Sequence, residues 1–234
     1  NLNWLITGAS SGIGLELTKT ICSEKGSYVI GVGRNEERLE ELKKKLNGCF
    51  NYVVADLSIV KEVKKIVGEV VKHFDKVDVL INNAGFGLYK QVLDHGSEEI
   101  ESMAIVNFVA PLILVKELLP VMPKDSVVVM VITAGIHVLM KDLPIYGATK
   151  IALHYASEVL RHELKNRGIH LLTVYPGLIK TEFHERAGKI VEGGISANAV
   201  AKAIVKAVKK KKKKIYIPWY LSIAKILGPY LLSL

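Results

Sequence analysis

The sequence predicts an α/β chain built on a doubly wound parallel sheet of about seven strands, with helices on both faces. Two observations carry this. Short apolar, β-branched runs alternate with longer segments of helical period, and no Pro- or Gly-rich linker interrupts that alternation. Strands written as continuous apolar runs are covered on both faces, as parallel strands are, and right-handed crossovers leave the doubly wound order as the simplest topology. The predicted strands are residues 4–6, 28–32, 52–55, 79–81, 127–132, 170–174 and 215–217. Between them, residues 35–46, 59–73 and 97–119 have helical amphipathic spacing, and a further helix opens at Tyr146 and runs toward Arg167. Residues 1–218 read as a single domain, followed by an apolar tail over 219–234.

Half of the 234 residues are apolar and 24% are charged, enough for a sizeable core. The net charge of +9 is largely local, since Lys209 to Lys214 is an unbroken run of lysines and the remainder is close to balance. That run lacks interleaved aromatic residues and any binding module, which argues against nucleic acid as a partner. Cys22 and Cys49 match neither a zinc spacing nor a disulfide framework, so they read as ordinary thiols in a reducing, cytoplasmic setting. Asn1 to Ile6 lead directly into a strand with no leader-like run ahead of it, as though the start were trimmed to the domain edge.

After the first strand comes Thr7-Gly8-Ala9-Ser10-Ser11-Gly12-Ile13-Gly14, then a helix. Gly8 permits a tight turn, Gly12 lets a phosphate approach the backbone, and Gly14 lets helix and sheet pack closely. The helix start offers N–H groups and partial positive charge to a pyrophosphate. The next strand ends at Gly33-Arg34-Asn35, with no carboxylate before Glu36. A free ribose 2′-hydroxyl calls for an acid here and a 2′-phosphate for a cation, so Arg34 favours NADP(H) over NAD(H).

Tyr146 and Lys150 are four apart and share one helix face. A phenol is a poor acid/base near neutral pH, and an adjacent ammonium lowers its pKa. With its context, this motif makes the sequence resemble the single-domain type of the short-chain dehydrogenase/reductase family, from about Leu2 to Pro218. The glycine loop, Asp56-Leu57, Asn82-Asn83-Ala84-Gly85, Asn107, Tyr146-x-x-x-Lys150 and Tyr175-Pro176-Gly177-Leu178-Ile179-x-Thr181 occur in the family's order and spacing.

The resemblance implies a Rossmann-like fold and hydride transfer between a nicotinamide cofactor and a carbonyl or alcohol. It implies Tyr146 as acid/base, Lys150 lowering its pKa and holding the nicotinamide ribose, and Asn107 completing a water-linked proton path. It implies a cofactor site formed by Gly8, Ser10, Ser11, Gly12, Ile13, Gly14, Arg34, Asp56, Leu57, Asn83, Ala84, Gly85, Lys150, Pro176, Gly177, Ile179 and Thr181, with no metal. One position departs: Thr133 stands thirteen residues before Tyr146, where Ser is usual. Thr keeps the hydroxyl that hydrogen-bonds a substrate oxygen, while its methyl narrows the site.

His154, Glu158 and His162 recur every four residues and form a surface or subunit-contact face rather than a metal site. The resemblance implies a homodimer or homotetramer, a substrate lid over residues 181–194, and a pocket bordered by His137 and Lys141 that favours polar or acidic groups. The tail points to a bulky or lipid-like carbonyl or alcohol, and packs on the pocket, on an oligomer interface or, as a peripheral contact, on a membrane surface. A non-catalytic NADP(H)-binding sensor or scaffold is the competing reading. The intact Tyr146, Lys150 and Asn107 set argues against it.

Overall fold

The computed structural model describes residues 2–227. One seven-stranded parallel sheet has the order β3-β2-β1-β4-β5-β6-β9. Its strands are β1 (Leu2–Thr7), β2 (Ser27–Gly33), β3 (Phe50–Val54), β4 (Val79–Asn82), β5 (Val127–Val131), β6 (His170–Pro176) and β9 (Lys214–Ile217). Each expected strand is present. Two short strands that the sequence did not suggest, β7 (Ile179–Lys180) and β8 (Ile195–Ser196), pair with each other outside the sheet. The chain winds outward from β1 to β3, then returns to β4 on the other side of β1. That reversal opens a crevice beyond the carboxyl ends of β1 and β4, the ligand position of doubly wound sheets.

The side-chain period of two divides the core between the faces. Leu5, Leu80, Val128 and Leu171 point to one face and pack with Val63, Ile66, Leu114 and Leu153. These helical residues belong to α3 (Val60–His73), α5 (Ala110–Leu118) and α6 (Pro144–Asn166). Trp4, Ile6, Ile81, Val129 and Leu172 point to the other face and pack with Leu17, Ile21, Leu39, Val200 and Ile204. Their partners come from α1 (Gly12–Cys22), α2 (Glu36–Lys45) and α8 (Ala197–Lys209). All five residues of β5 are buried, as a central strand covered on both faces requires.

The helix expected over 97–119 consists of α4 (Ser97–Ala104), a wider π-type turn (Ile105–Val109) and α5. Pro111 has no N–H for the carbonyl of Asn107 one turn back, so the ordinary ladder is broken there. Asn107 sits inside that turn, fully buried.

The cysteines correct the sequence reading. Cys22 and Cys49 form a disulfide, with Cα atoms 5.7 Å apart. Cys22 ends α1, and Cys49 immediately precedes β3, where its carbonyl accepts from Val29 N–H at 2.8 Å. The sheet order places these two points side by side, which their 27-residue separation does not reveal. The inference from thiols to a reducing compartment lapses with it.

Of the lysine run, Lys209 pairs with Glu24, Lys211 with Asp125 and Lys214 with Glu158, which neutralises part of its field.

Candidate active site

A cleft of about 1120 Å³ lies over the carboxyl edge of the sheet. Its floor begins at the turn after β1. Gly8 has φ +71°, a left-handed conformation that L side chains rarely adopt, and its N–H donates to Val32 O at 2.8 Å. A Cβ on Gly14 would overlap the Gly8 carbonyl, so only glycine lets α1 start this close to the turn. Thr7 Oγ1 accepts from the N–H groups of Asn83 and Ala84, each at 3.0 Å, and Asn83 Nδ2 donates to Thr7 O at 3.1 Å. The glycine turn and the segment after β4 are thereby one unit. Ser11 precedes α1 in an extended conformation, and no side chain caps that helix start.

Arg34 is exposed at the rim, and no salt bridge to it occurs among the described residues. Burial pushes the Asp56 carboxyl up, but hydrogen bonds from Ser58 N–H and hydroxyl, with the charge of Arg34, hold it below the usual value.

Tyr146 and Lys150 rise from the first turns of α6, and Thr133 ends β5's continuation opposite them. Burial pushes the Tyr146 phenol well up, a hydrogen bond with Thr133 draws it down, and Tyr89 adds to the rise. The Lys150 amine is 3% exposed, and burial brings it down to about 8. Lys150 Nζ donates to Val131 O at 3.0 Å and stands 5.7 Å from the centre of the Tyr146 ring. The phenol pKa expected to fall beside Lys150 therefore rises here, with desolvation the largest cause. Thr133 Oγ1 also accepts from Gly135 N–H at 3.1 Å.

Asn107 lies behind this group and does not line the cleft. Its Oδ1 accepts from Phe86 N–H at 3.0 Å, and its Nδ2 donates to Phe86 O at 2.8 Å and to Thr149 Oγ1 at 3.0 Å. It ties the segment after β4 to α6.

All the residues expected to bind cofactor line the cleft except Gly14, which supports the turn from behind. Thr133, Tyr146 and Lys150 line it too. His137 and Lys141 do not. His137 turns inward and hydrogen-bonds through Nε2 with the Tyr216 hydroxyl at 2.7 Å, and Lys141 is exposed. His154 also corrects the reading of a shared surface face: its Nδ1 meets the Tyr175 hydroxyl at 2.8 Å, while Glu158 pairs with Arg161 and Lys214. The reason is the stacked Tyr175–Tyr216 pair, with ring centres 4.5 Å apart, whose hydroxyls need buried partners.

The far wall contains residues with no sequence motif. The short helix α7 (Phe183–Arg186) sets the Phe183 ring 5.2 Å from that of Tyr146. Tyr89 hydroxyl and His184 Nδ1 lie 2.7 Å apart. Leu221 and Ala224, from the start of the tail, also line the cleft, and Leu221 packs on Gly177. Residues 228–234 of the tail lie outside the described residues.

A glycine turn at the switch point of a doubly wound sheet, beside a hydroxyl–phenol–amine group, defines a class: single-sheet nucleotide-binding oxidoreductases. The short chain dehydrogenase family pattern matches residues 3–192. An uncharacterized oxidoreductase from Staphylococcus epidermidis is 31% identical over 207 residues, covering 87% of this chain and 89% of the relative. A short-chain dehydrogenase from Streptomyces avermitilis superposes with TM-score 0.82 at 26% identity, over 92% of this chain and 87% of that one. A short-chain dehydrogenase from Sphingobium yanoikuyae, solved with NADPH, has TM-score 0.86 at 24% identity, over 95% of this chain and 90% of that one. One from Burkholderia phymatum, solved with NAD, has TM-score 0.86 at 20% identity, over 96% of this chain and 92% of that one. The chain belongs to the short-chain dehydrogenase family.

Proposed function

We propose that this protein is an NADP(H)-dependent oxidoreductase that interconverts a carbonyl and an alcohol, with Tyr146 as acid/base. The observation that carries the proposal is that Thr133, Tyr146 and buried Lys150 line the same cleft as the glycine turn. The cleft suits a dinucleotide: the tight turn leaves room for a pyrophosphate at the uncapped start of α1, and Arg34 offers a cation for a 2′-phosphate. When bound, the nicotinamide supplies the hydride.

Tyr146, kept protonated by its burial, donates its proton to the carbonyl oxygen in reduction and recovers it from the alcohol in the reverse sense. Thr133 hydroxyl holds that oxygen against the phenol. Lys150, as ammonium, stabilises the phenolate that proton donation leaves. Asn107 is a positioning residue, its side chain fixing the segment after β4 against α6 behind Lys150. Val138, Met140, Leu143, Phe183 and Leu221 give the substrate end apolar walls, which supports a carbonyl or alcohol with a bulky apolar body. Ile151, Tyr155 and Val159 expose an apolar stripe along α6, consistent with a homo-oligomer.

The test is NADPH and NADH titration with a ketone panel on wild type, Tyr146→Phe and Arg34→Ala. Tyr146→Phe should lose turnover by about 10²- to 10⁴-fold with NADPH affinity retained. Arg34→Ala should weaken NADPH binding and spare NADH. Wild-type binding of NADPH without turnover on any carbonyl would return the protein to the non-catalytic binding class.

A further inference from the structure

One turn of helix links the two ends of the cleft. Phe183 and Arg186 are three apart on α7, so both reach the same side. Phe183 faces the Tyr146 ring, and Arg186 Nη1 donates to Ser11 Oγ at 3.1 Å, across 175 residues of chain. Ser11 is the residue from which α1 starts, beside the glycine turn. A guanidinium is thus placed at the mouth of the pyrophosphate position, on the segment that covers the phenol.

Its present counter-ion is Glu182, which binds Arg186 and also accepts from Arg38 Nη1 at 3.2 Å. Both arginines hold the Glu182 carboxyl below its usual range, Arg186 first. One carboxylate therefore serves two cations. Half-exposed Arg186 has donors beyond those used on Ser11 and Glu182 and can turn toward an anion at the glycine turn.

We infer that Arg186 binds the pyrophosphate of the dinucleotide from the lid side, and that this contact seats Phe183 over Tyr146. The inference rests on the dinucleotide reading above. Pyrophosphate is common to NADP(H) and NAD(H), so Arg186 strengthens both and does not discriminate between them, whereas Arg34 does. The phenol is then covered when the dinucleotide is in place, which keeps bulk water from Tyr146 during proton transfer.

The test is calorimetric titration of wild type, Arg186→Ala and Arg186→Lys with NADPH and NADH. It is joined by hydrogen exchange of residues 181–190 at saturating NADPH. Arg186→Ala should weaken both cofactors by about tenfold, with their ratio unchanged, and Arg186→Lys should recover part of the loss. NADPH should slow exchange over the lid in wild type, and much less in Arg186→Ala at equal saturation. Unchanged affinity in a folded Arg186→Ala variant overturns the inference. So does a loss confined to NADPH, or full lid protection in that variant. Failure of wild type to bind either dinucleotide is a separate outcome that sinks the cofactor reading itself.

Discussion

Tyr146, half-buried on the cleft wall, and buried Lys150, four residues apart on α6, are displaced in opposite senses by the same cause. Loss of water pushes the phenol up and the amine down to about 8, each toward its uncharged form. The ammonium of Lys150 is therefore held at a cost to the fold, and that cost depends on pH.

Lys150 has an ordinary value of 10.5 in the unfolded chain and about 8 in the fold. Below pH 8 both states carry the proton, and the full penalty of burying the ammonium is present. Between pH 8 and 10.5 the unfolded chain binds more protons than the folded one, so stability rises with pH. The span corresponds to about 3 kcal/mol. Urea unfolding of wild type and Lys150→Met at pH 7 and pH 10 checks this. Wild type should gain on the variant by a sizeable part of that amount, and a pH-independent difference rules the penalty out.

Thr133 acts on Tyr146 through a hydroxyl that Ser can supply as well. Thr133→Ser should keep kcat within about threefold, because the hydroxyl beside Tyr146 is retained. Thr133→Val removes the hydroxyl and should lower kcat about 10²-fold with NADPH affinity unchanged. It also leaves Gly135 N–H without its acceptor, at a stability cost of about 1 kcal/mol. Equal kcat for Ser and Val variants would remove Thr133 from the chemistry.

Asn107 holds both polar groups of Phe86 and the hydroxyl of Thr149 from within a fully buried position. Asn107→Ala abandons those partners, and unfolding free energy should drop by about 2–4 kcal/mol. A chemical denaturation curve within 1 kcal/mol of wild type would show that its role is not positional.

The Cys22–Cys49 bridge closes a 27-residue loop, and the chain-entropy relation assigns it about 3.5 kcal/mol. Alkylation under denaturing conditions should find no reactive thiol before reduction and two after it. Reductant, or Cys22→Ser with Cys49→Ser, should lower Tm. Two reactive thiols in unreduced protein would disprove the bridge.

The architecture was readable because its signal is local. β5 is an unbroken apolar run, and short, mostly apolar runs mark the other strands of the sheet. The glycine turn and the Tyr146–Lys150 spacing are local as well, since adjacency along a strand–turn–helix or one helix face already sets their geometry. β7 and β8 escaped because a two-residue strand has no period to detect.

Tertiary structure alone decided what crosses the chain. Nothing near Cys22 announces Cys49, and only the order β3-β2-β1 brings α1 and β3 to one end of the sheet. His137 and His154 read as loop and surface residues, yet the stacked tyrosines behind the site draw both inward. Arg186 reaches Ser11, and Leu221 reaches the cleft, through packing rather than sequence neighbourhood. Even the phenol's pKa depended on the fold. The Tyr146–Lys150 spacing alone implies a lowered value, while burial, a property of the whole packed domain, sets the opposite sign.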